Sequence, residues 1–244
     1  MARTPFKNPI FSGLDTNDRL EAEKLAAALA PEIGGLKIGL EFFYAFGPEG
    51  YRAIAKTGAP IFLDLKLHDI PNTVAGGIRS ACQLKPAIIN VHASGGTAMM
   101  KAAADAAAEA ETPPMVIAVT VLTSLDDTDL HAQGVQGSPA DQVLRLASNA
   151  QKAGLHGVVC SPQEIALLRR ECGPDFKLIV PGIRPAGADI GDQKRVMTPE
   201  EALGAGADIL VISRPIIRAD NPALAARAIA QSLAALTCSP DLKS

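Results

Sequence analysis

The sequence predicts a closed (β/α)8 barrel, an α/β fold forming one domain over residues 1–244. Three observations point to it. Short apolar runs recur eight times, each followed by a helix-like segment. These runs lack the alternation of half-exposed sheets, as expected of strands buried on both faces. The length of 244 residues suits eight such units. An open doubly wound sheet is the runner-up, but no G-x-G-x-x-G follows the first strand. No low-complexity linker divides the chain.

Taken in order, Ile10–Leu14 is the first strand and ends at Asp15, with a helix from about Asn17 to Leu29. The second strand, Gly35–Gly39, carries Lys37 and leads into residues 41–57. The third begins at Ile61, and Pro71, suited to an early helical position, opens a helix to about Leu84. Ala87–Val91 leads to His92 and an Ala-rich helix over 97–110. Met115–Val121 ends at Leu122-Thr123-Ser124, before a long polar loop and a helix from Pro139 to Ala153. Gly157–Cys160 ends at Ser161-Pro162, with a helix to about Glu171. Lys177–Val180 ends at Pro181-Gly182-Ile183-Arg184, and a loop to about Val196 precedes a helix near Pro199. Asp208–Ile212 ends at Ser213-Arg214-Pro215, and a helix over Asn221–Leu236 follows.

Composition narrows the function. The hydrophobic share of 48% supplies a sizeable core, and 4% aromatic content makes it aliphatic. A net charge of −3 without a basic cluster argues against nucleic acid as the main partner. No apolar run approaches the roughly 20 residues that span a bilayer. Residues 1–10 lack the apolar segment of a signal peptide, so a cytoplasmic location is expected. Cys82, Cys160, Cys172 and Cys238 are widely spaced, which favours reduced thiols over a disulfide frame or a zinc site.

Polar residues collect where the predicted strands end: Asp15, Lys37, Asp64, Lys66, His92, Thr123, Ser161, Arg184 and Arg214. In this fold that rim carries the active site. Within Ile61–Thr73, IFLDLKLHDIPNT, strand periodicity places Asp64 and Lys66 on one face, roughly 7 Å apart. Leu63, Leu65 and Leu67 take the other face. Burying such charges is costly unless they pair or serve a site. A structural ion pair would also account for an isolated D-x-K. With Lys37 on the second strand and Asp69 just beyond the third, charges alternate in sign. Flanking carboxylates favour the protonated form of Lys66. That state suits proton donation and stabilisation of a developing carbanion, whereas Schiff-base chemistry needs the free amine.

A phosphate cradle is expected after strands seven and eight, where barrels often bind phosphate. Gly182 permits close backbone approach. Arg214 supplies a rigid charged fork, free N–H groups complete an anion nest, and Gln193 could reach over the anion.

D-x-K-x-x-D-I-P-N-T at Asp64–Thr73 resembles the signature of the orotidine 5′-phosphate decarboxylase family. The resemblance extends along the chain through G-L-D at Asp15, L-K-I-G around Lys37, N-V-H-A at Asn90–Ala93 and T-V-L-T-S at Thr120–Ser124. It continues in V-C-S-P at Val159–Pro162, V-P-G-I-R-P at Val180–Pro185, G-D-Q-K-R at Gly191–Arg195 and S-R-P-I at Ser213–Ile216. Ser213 stands where the family usually has Gly, with little consequence expected if its N–H is what serves.

The resemblance implies cofactor-independent decarboxylation of orotidine 5′-monophosphate to UMP in pyrimidine biosynthesis, with no metal. It implies that Lys66 protonates C6, Asp64 crowds the substrate carboxylate, and Lys37 and Asp69 complete the row. Asp15 and Lys37 would hold ribose hydroxyls, and Ser161 would read the pyrimidine amide edge. Gln193 and Arg214, with N–H groups near Gly182 and Ser213, would bind the 5′-phosphate, and Thr123, Pro181 and Arg184 are expected among the other substrate-binding residues. It also implies a homodimer in which Asp69 and Thr73 reach the neighbouring subunit's site. For His92, a structural role and direct ligand contact stay open. Three rivals share parts of the pattern: a magnesium-dependent sugar-phosphate relative, a Schiff-base aldolase, and a non-catalytic nucleotide-binding barrel. The Ile70–Thr73 continuation and Gln193 speak against the first, and the intact Asp64/Lys66 pair against the last.

Overall fold

Each strand is a short apolar run because both of its faces are buried, one against helices and one inside the barrel. The computed structural model describes residues 4–185 and 197–238. The strands are β1 (Ile10–Gly13), β2 (Gly35–Ile38), β3 (Ile61–Leu67), β4 (Ile88–His92), β5 (Met115–Val119), β6 (Gly157–Val159), β7 (Lys177–Val180) and β8 (Ile209–Val211). They pair in parallel in sequence order, and β1 pairs with β8 through Ile10↔Leu210 and Phe11↔Val211, closing the barrel. The eight-unit barrel expected from the sequence is what forms.

The helices are α1 (Arg19–Leu29), α2 (Leu40–Ala55), α3 (Pro71–Cys82), α4 (Thr97–Ala108), α5 (Asp127–Ala132), α6 (Pro139–Lys152), α7 (Ile165–Cys172), α8 (Pro199–Ala205), α9 (Arg214–Ile217) and α10 (Pro222–Cys238). Two of them correct the sequence reading. The stretch expected to be a plain polar loop after β5 contains α5, which Asp126 and Asp129 cap reciprocally. The chain also winds into α9 directly after β8, with Pro215 in its first turn. A kink at Gly47, φ +55°, followed by Pro48, divides α2.

The core has two layers. Leu36, Ile38, Leu63, Ile89, Val91, Val116 and Val158 face the helices. Phe11, Phe62, Ile88, Ile117, Ile179, Ile209 and Val211 fill the barrel itself, and Phe6 packs edge-on against Phe11, ring centroids 5.0 Å apart. Such a filled interior is a floor, not a pore. Its uppermost side chains support the site above.

Candidate active site

At the C-terminal mouth, β1, β2 and β3 bring four charges into contact. Asp64 is buried, and its two oxygens are divided between two lysines. Lys66 Nζ lies 2.7 Å from Oδ1 and Lys37 Nζ lies 3.2 Å from Oδ2. Lys37 also reaches Asp15 Oδ1 at 3.4 Å. Burial pushes the Asp64 carboxyl up, but the charges of Lys37 and Lys66 and the hydrogen bonds from Lys66 and Asn90 outweigh it, so it is held below its ordinary value. Lys37 behaves as the mirror case. Burial pushes its ammonium down, and Asp64 with Asp15 more than reverses this.

The row depends on an irregularity in β3. Leu63 pairs with Ile89 and Leu67 with Val91, so Asp64, Leu65 and Lys66 stand opposite the single residue Asn90. Lys66 takes φ +54°, a left-handed conformation costing a residue with a β-carbon about 1–2 kcal/mol. Its N–H donates to Asn90 Oδ1 at 2.8 Å. Leu63, Leu65 and Leu67 pack toward the helices as the strand pattern predicts. Phe62, Asp64 and Lys66 line a cavity of about 500 Å³.

Across that cavity Pro181, Gly182 and Arg184 follow β7, while Ser213 and Arg214 follow β8. Gly182 has φ +77°, a conformation that glycine takes without strain. Ser213 contributes more than an N–H. Its Oγ accepts from Gly13 N–H at 2.9 Å and extends the β1–β8 seam beyond the last ladder pair. Between the two charged ends, Val119, Val121, Leu122, Thr123, Val159 and Cys160 form a largely apolar wall. One side of the cavity thus offers fixed alternating charge and the other an arginine pair with a glycine turn. This suits an elongated ligand with an anion at one end and a reacting group at the other.

The orotidine 5′-phosphate decarboxylase / HUMPS family model matches residues 8–229. This chain belongs to that family. An orotidine 5′-phosphate decarboxylase from Rhodospirillum rubrum is 54% identical over 230 residues, covering 92% of this chain and 93% of that protein. One from Paramagnetospirillum magneticum is 51% identical over 93% of this chain and 98% of its own length. The crystal structure of orotidine 5′-phosphate decarboxylase from Lactobacillus acidophilus superposes with a TM-score of 0.83 at 36% identity, covering 93% of this chain and 99% of that one.

Most of the residues singled out from the orotidine 5′-phosphate decarboxylase resemblance meet in one place. Asp15, Lys37, Asp64, Lys66, Thr123, Pro181, Gly182, Arg184, Ser213 and Arg214 all line the cavity. Ser161 is buried just past Cys160, and its hydroxyl has no hydrogen-bond partner among the described residues. Asp69 and Thr73 are exposed and outside the cavity lining; Asp69 Oδ1 accepts from Ile70 N–H at 2.7 Å. Gln193 lies outside the described residues. His92 is half-buried and not in the lining, its ring centroid 5.4 Å from that of His68. Burial, then the neighbouring His68 and Lys66, hold the His92 imidazole below its ordinary pKa.

Sequence reasoning missed three residues. Glu41 and Arg218 line the cavity; Arg218 follows Arg214 by one helical turn, a spacing that could have flagged it. Asn90 is the third, and a polar residue inside the otherwise apolar run Ile88–Val91 is the signal that marks it.

Proposed function

We propose that this chain decarboxylates orotidine 5′-monophosphate to UMP and CO₂ without a cofactor, with Lys66 as proton donor to C6. The observation that carries the reading is the Lys37–Asp64–Lys66 row facing Arg214 and Gly182 across one cavity.

Breaking the bond from C6 to the carboxylate leaves the electron pair on a ring carbon with poor delocalisation. Charge already in place is the available means of stabilisation, because it needs no reorganisation as the anion forms. Lys66 supplies that charge and then the proton, forming the C6–H bond; solvent returns a proton to its amine. Asp64, fixed between two lysines, puts negative charge beside the departing carboxylate. Lys37 and Asp15 hold ribose hydroxyls. Thr123 and Ser161 read the base, and the unpartnered Ser161 hydroxyl suits its amide edge. Pro181, Gly182, Arg184, Ser213 and Arg214, with Gln193 by resemblance, take the phosphate. Binding energy gained far from C6 can then hold the carboxylate in its reactive position.

The chain works as a homodimer in which Asp69 and Thr73 complete the neighbouring subunit's site. The exposure of both, and of Ile70 between them at 67%, supports a surface that a partner covers. The cytoplasm is the proposed location. Among the described residues no helix is long and apolar enough to cross a membrane, and Cys82, Cys160 and Cys172 are free. The test is a spectrophotometric assay of orotidine monophosphate consumption with EDTA present. Undiminished turnover is expected. Abolition by chelation would transfer the chain to the magnesium-dependent branch of the resemblance, and UMP binding without CO₂ release would make it a non-catalytic barrel.

A further inference from the structure

Asn90 is fully buried on β4 and does not line the cavity, yet it touches both halves of the charged row. Its Oδ1 accepts the Lys66 N–H at 2.8 Å, and its Nδ2 donates to Asp64 Oδ1 at 2.7 Å. That same Asp64 oxygen receives Lys66 Nζ at 2.7 Å. One amide therefore closes a ring through the backbone of Lys66, its side chain, and the carboxylate between them.

The bulge explains why a side chain is needed. Asp64, Leu65 and Lys66 face a single β4 residue, so the ladder has no backbone acceptor in register for Lys66 N–H. An amide meets both demands because it accepts through one atom and donates through the other. A carboxylate there would repel Asp64, and an apolar side chain would leave a buried N–H and a buried carboxylate oxygen each short of a partner.

We propose that Asn90 is the positioning residue of the row, holding Lys66 in its left-handed turn and Asp64 at its oxygen from behind the cavity wall. Its effect on turnover rests on the activity proposed above; its effect on Asp64 does not. Asp64 is faced by Lys37 from β2, Lys66 from its own strand, and Asn90 and His92 from β4, with Asp15 beyond Lys37 and His68 beside His92. Since His92 also titrates in acid, Asp64 is best followed directly.

The experiment compares Asn90→Ala and Asn90→Asp with the parent chain in kcat, KM, UMP affinity and thermal unfolding, and follows the Asp64 carboxyl by carbon-13 NMR. For Asn90→Ala, kcat falls about 100-fold, the scale of a misplaced catalytic group, while UMP affinity stays within about threefold. The Asp64 titration moves to higher pH with the loss of the Nδ2 donor. For Asn90→Asp the deficit is greatest near neutrality and narrows as the pH falls, because a protonated carboxyl can donate where the amide did. A kcat within threefold of the parent, or a fall matched by lost folded protein with Asp64 titrating unchanged, would overturn the proposal. If the parent releases no CO₂ from orotidine monophosphate, the activity is refuted, and the Asp64 titration still decides the case of Asn90.

Discussion

Lys66 reaches Asp64 across 2.7 Å from a backbone turned to φ +54°, so the two charges meet through a bulge in β3 and not through plain strand alternation. Strained backbone of this kind persists where the surroundings over-determine it. Here those surroundings are Asn90, Asp64 and the paired strand β4.

Lys66→Ala should abolish turnover, by at least about 1000-fold, because it removes both the proposed proton donor and the charge proposed to stabilise the carbanion. UMP affinity should change little, since the phosphate and ribose contacts remain. Single-turnover decarboxylation and calorimetric UMP binding measure the two separately. A variant retaining a tenth of parental activity would end the assignment of Lys66.

Asp64 should make stability depend on pH in a definite direction. Its carboxyl is held down in the folded chain, so as pH falls the unfolded chain takes up the proton first. The stabilisation is complete above about pH 5 and is lost as pH falls through the lowered value. Lys37, held up, contributes in the opposite sense: its share is complete below about pH 10 and disappears as pH rises through its raised value. Asp64→Asn leaves Lys37 buried beside a neutral amide and should cost about 3 kcal/mol at pH 7. Thermal unfolding from pH 7 to pH 3 should show that cost shrinking toward acid. A constant difference over that range would mean the carboxylate charge is not what matters.

The eight units were legible because both faces of every strand are buried, and that demand writes itself as apolar runs such as Ile88–Val91 and Met115–Val119. The rim was legible too, since strand ends interrupt those runs with charge. The bulge was not. Nothing in Leu63–Leu67 signals a positive φ, and a lysine is a poor candidate for one. The role of Asn90 is not legible because its partners lie 24 and 26 residues away on β3, a pairing fixed only by strand register. The cap of α5 is written in Asp126 and Asp129, but in a run of acidic residues it looks the same as loop polarity. Asp69 and Thr73 are exposed, and any role they have across an interface lies beyond what a single chain's strand pattern can spell out.

Arg214→Ala should mainly weaken substrate binding. A charge-assisted contact to phosphate contributes about 1.5–3 kcal/mol, so kcat/KM should fall by about 10- to 100-fold, with KM carrying much of the change. Steady-state kinetics on orotidine monophosphate, repeated with orotidine lacking the phosphate, test the location as well as the size. On the truncated substrate the variant and the parent should differ little. An unchanged kcat/KM on the full substrate would remove Arg214 from the phosphate end.

If Asp69 and Thr73 serve the neighbouring subunit, two inactive variants should repair one another. A Lys66→Ala chain keeps Asp69 to lend, and an Asp69→Ala chain keeps Lys66 to use. Co-refolded in equal amounts, half the dimers pair unlike chains, and each of these contains one complete site and one with both defects. In a two-fold dimer that restores about a quarter of parental activity per protomer. Each variant refolded alone should stay near zero. The reason for trusting this test over a simple size measurement is that it reports on the site itself. A dimer joined at any other surface would show the same mass in solution but no recovery, and Asp69 would then act within its own chain or not at all.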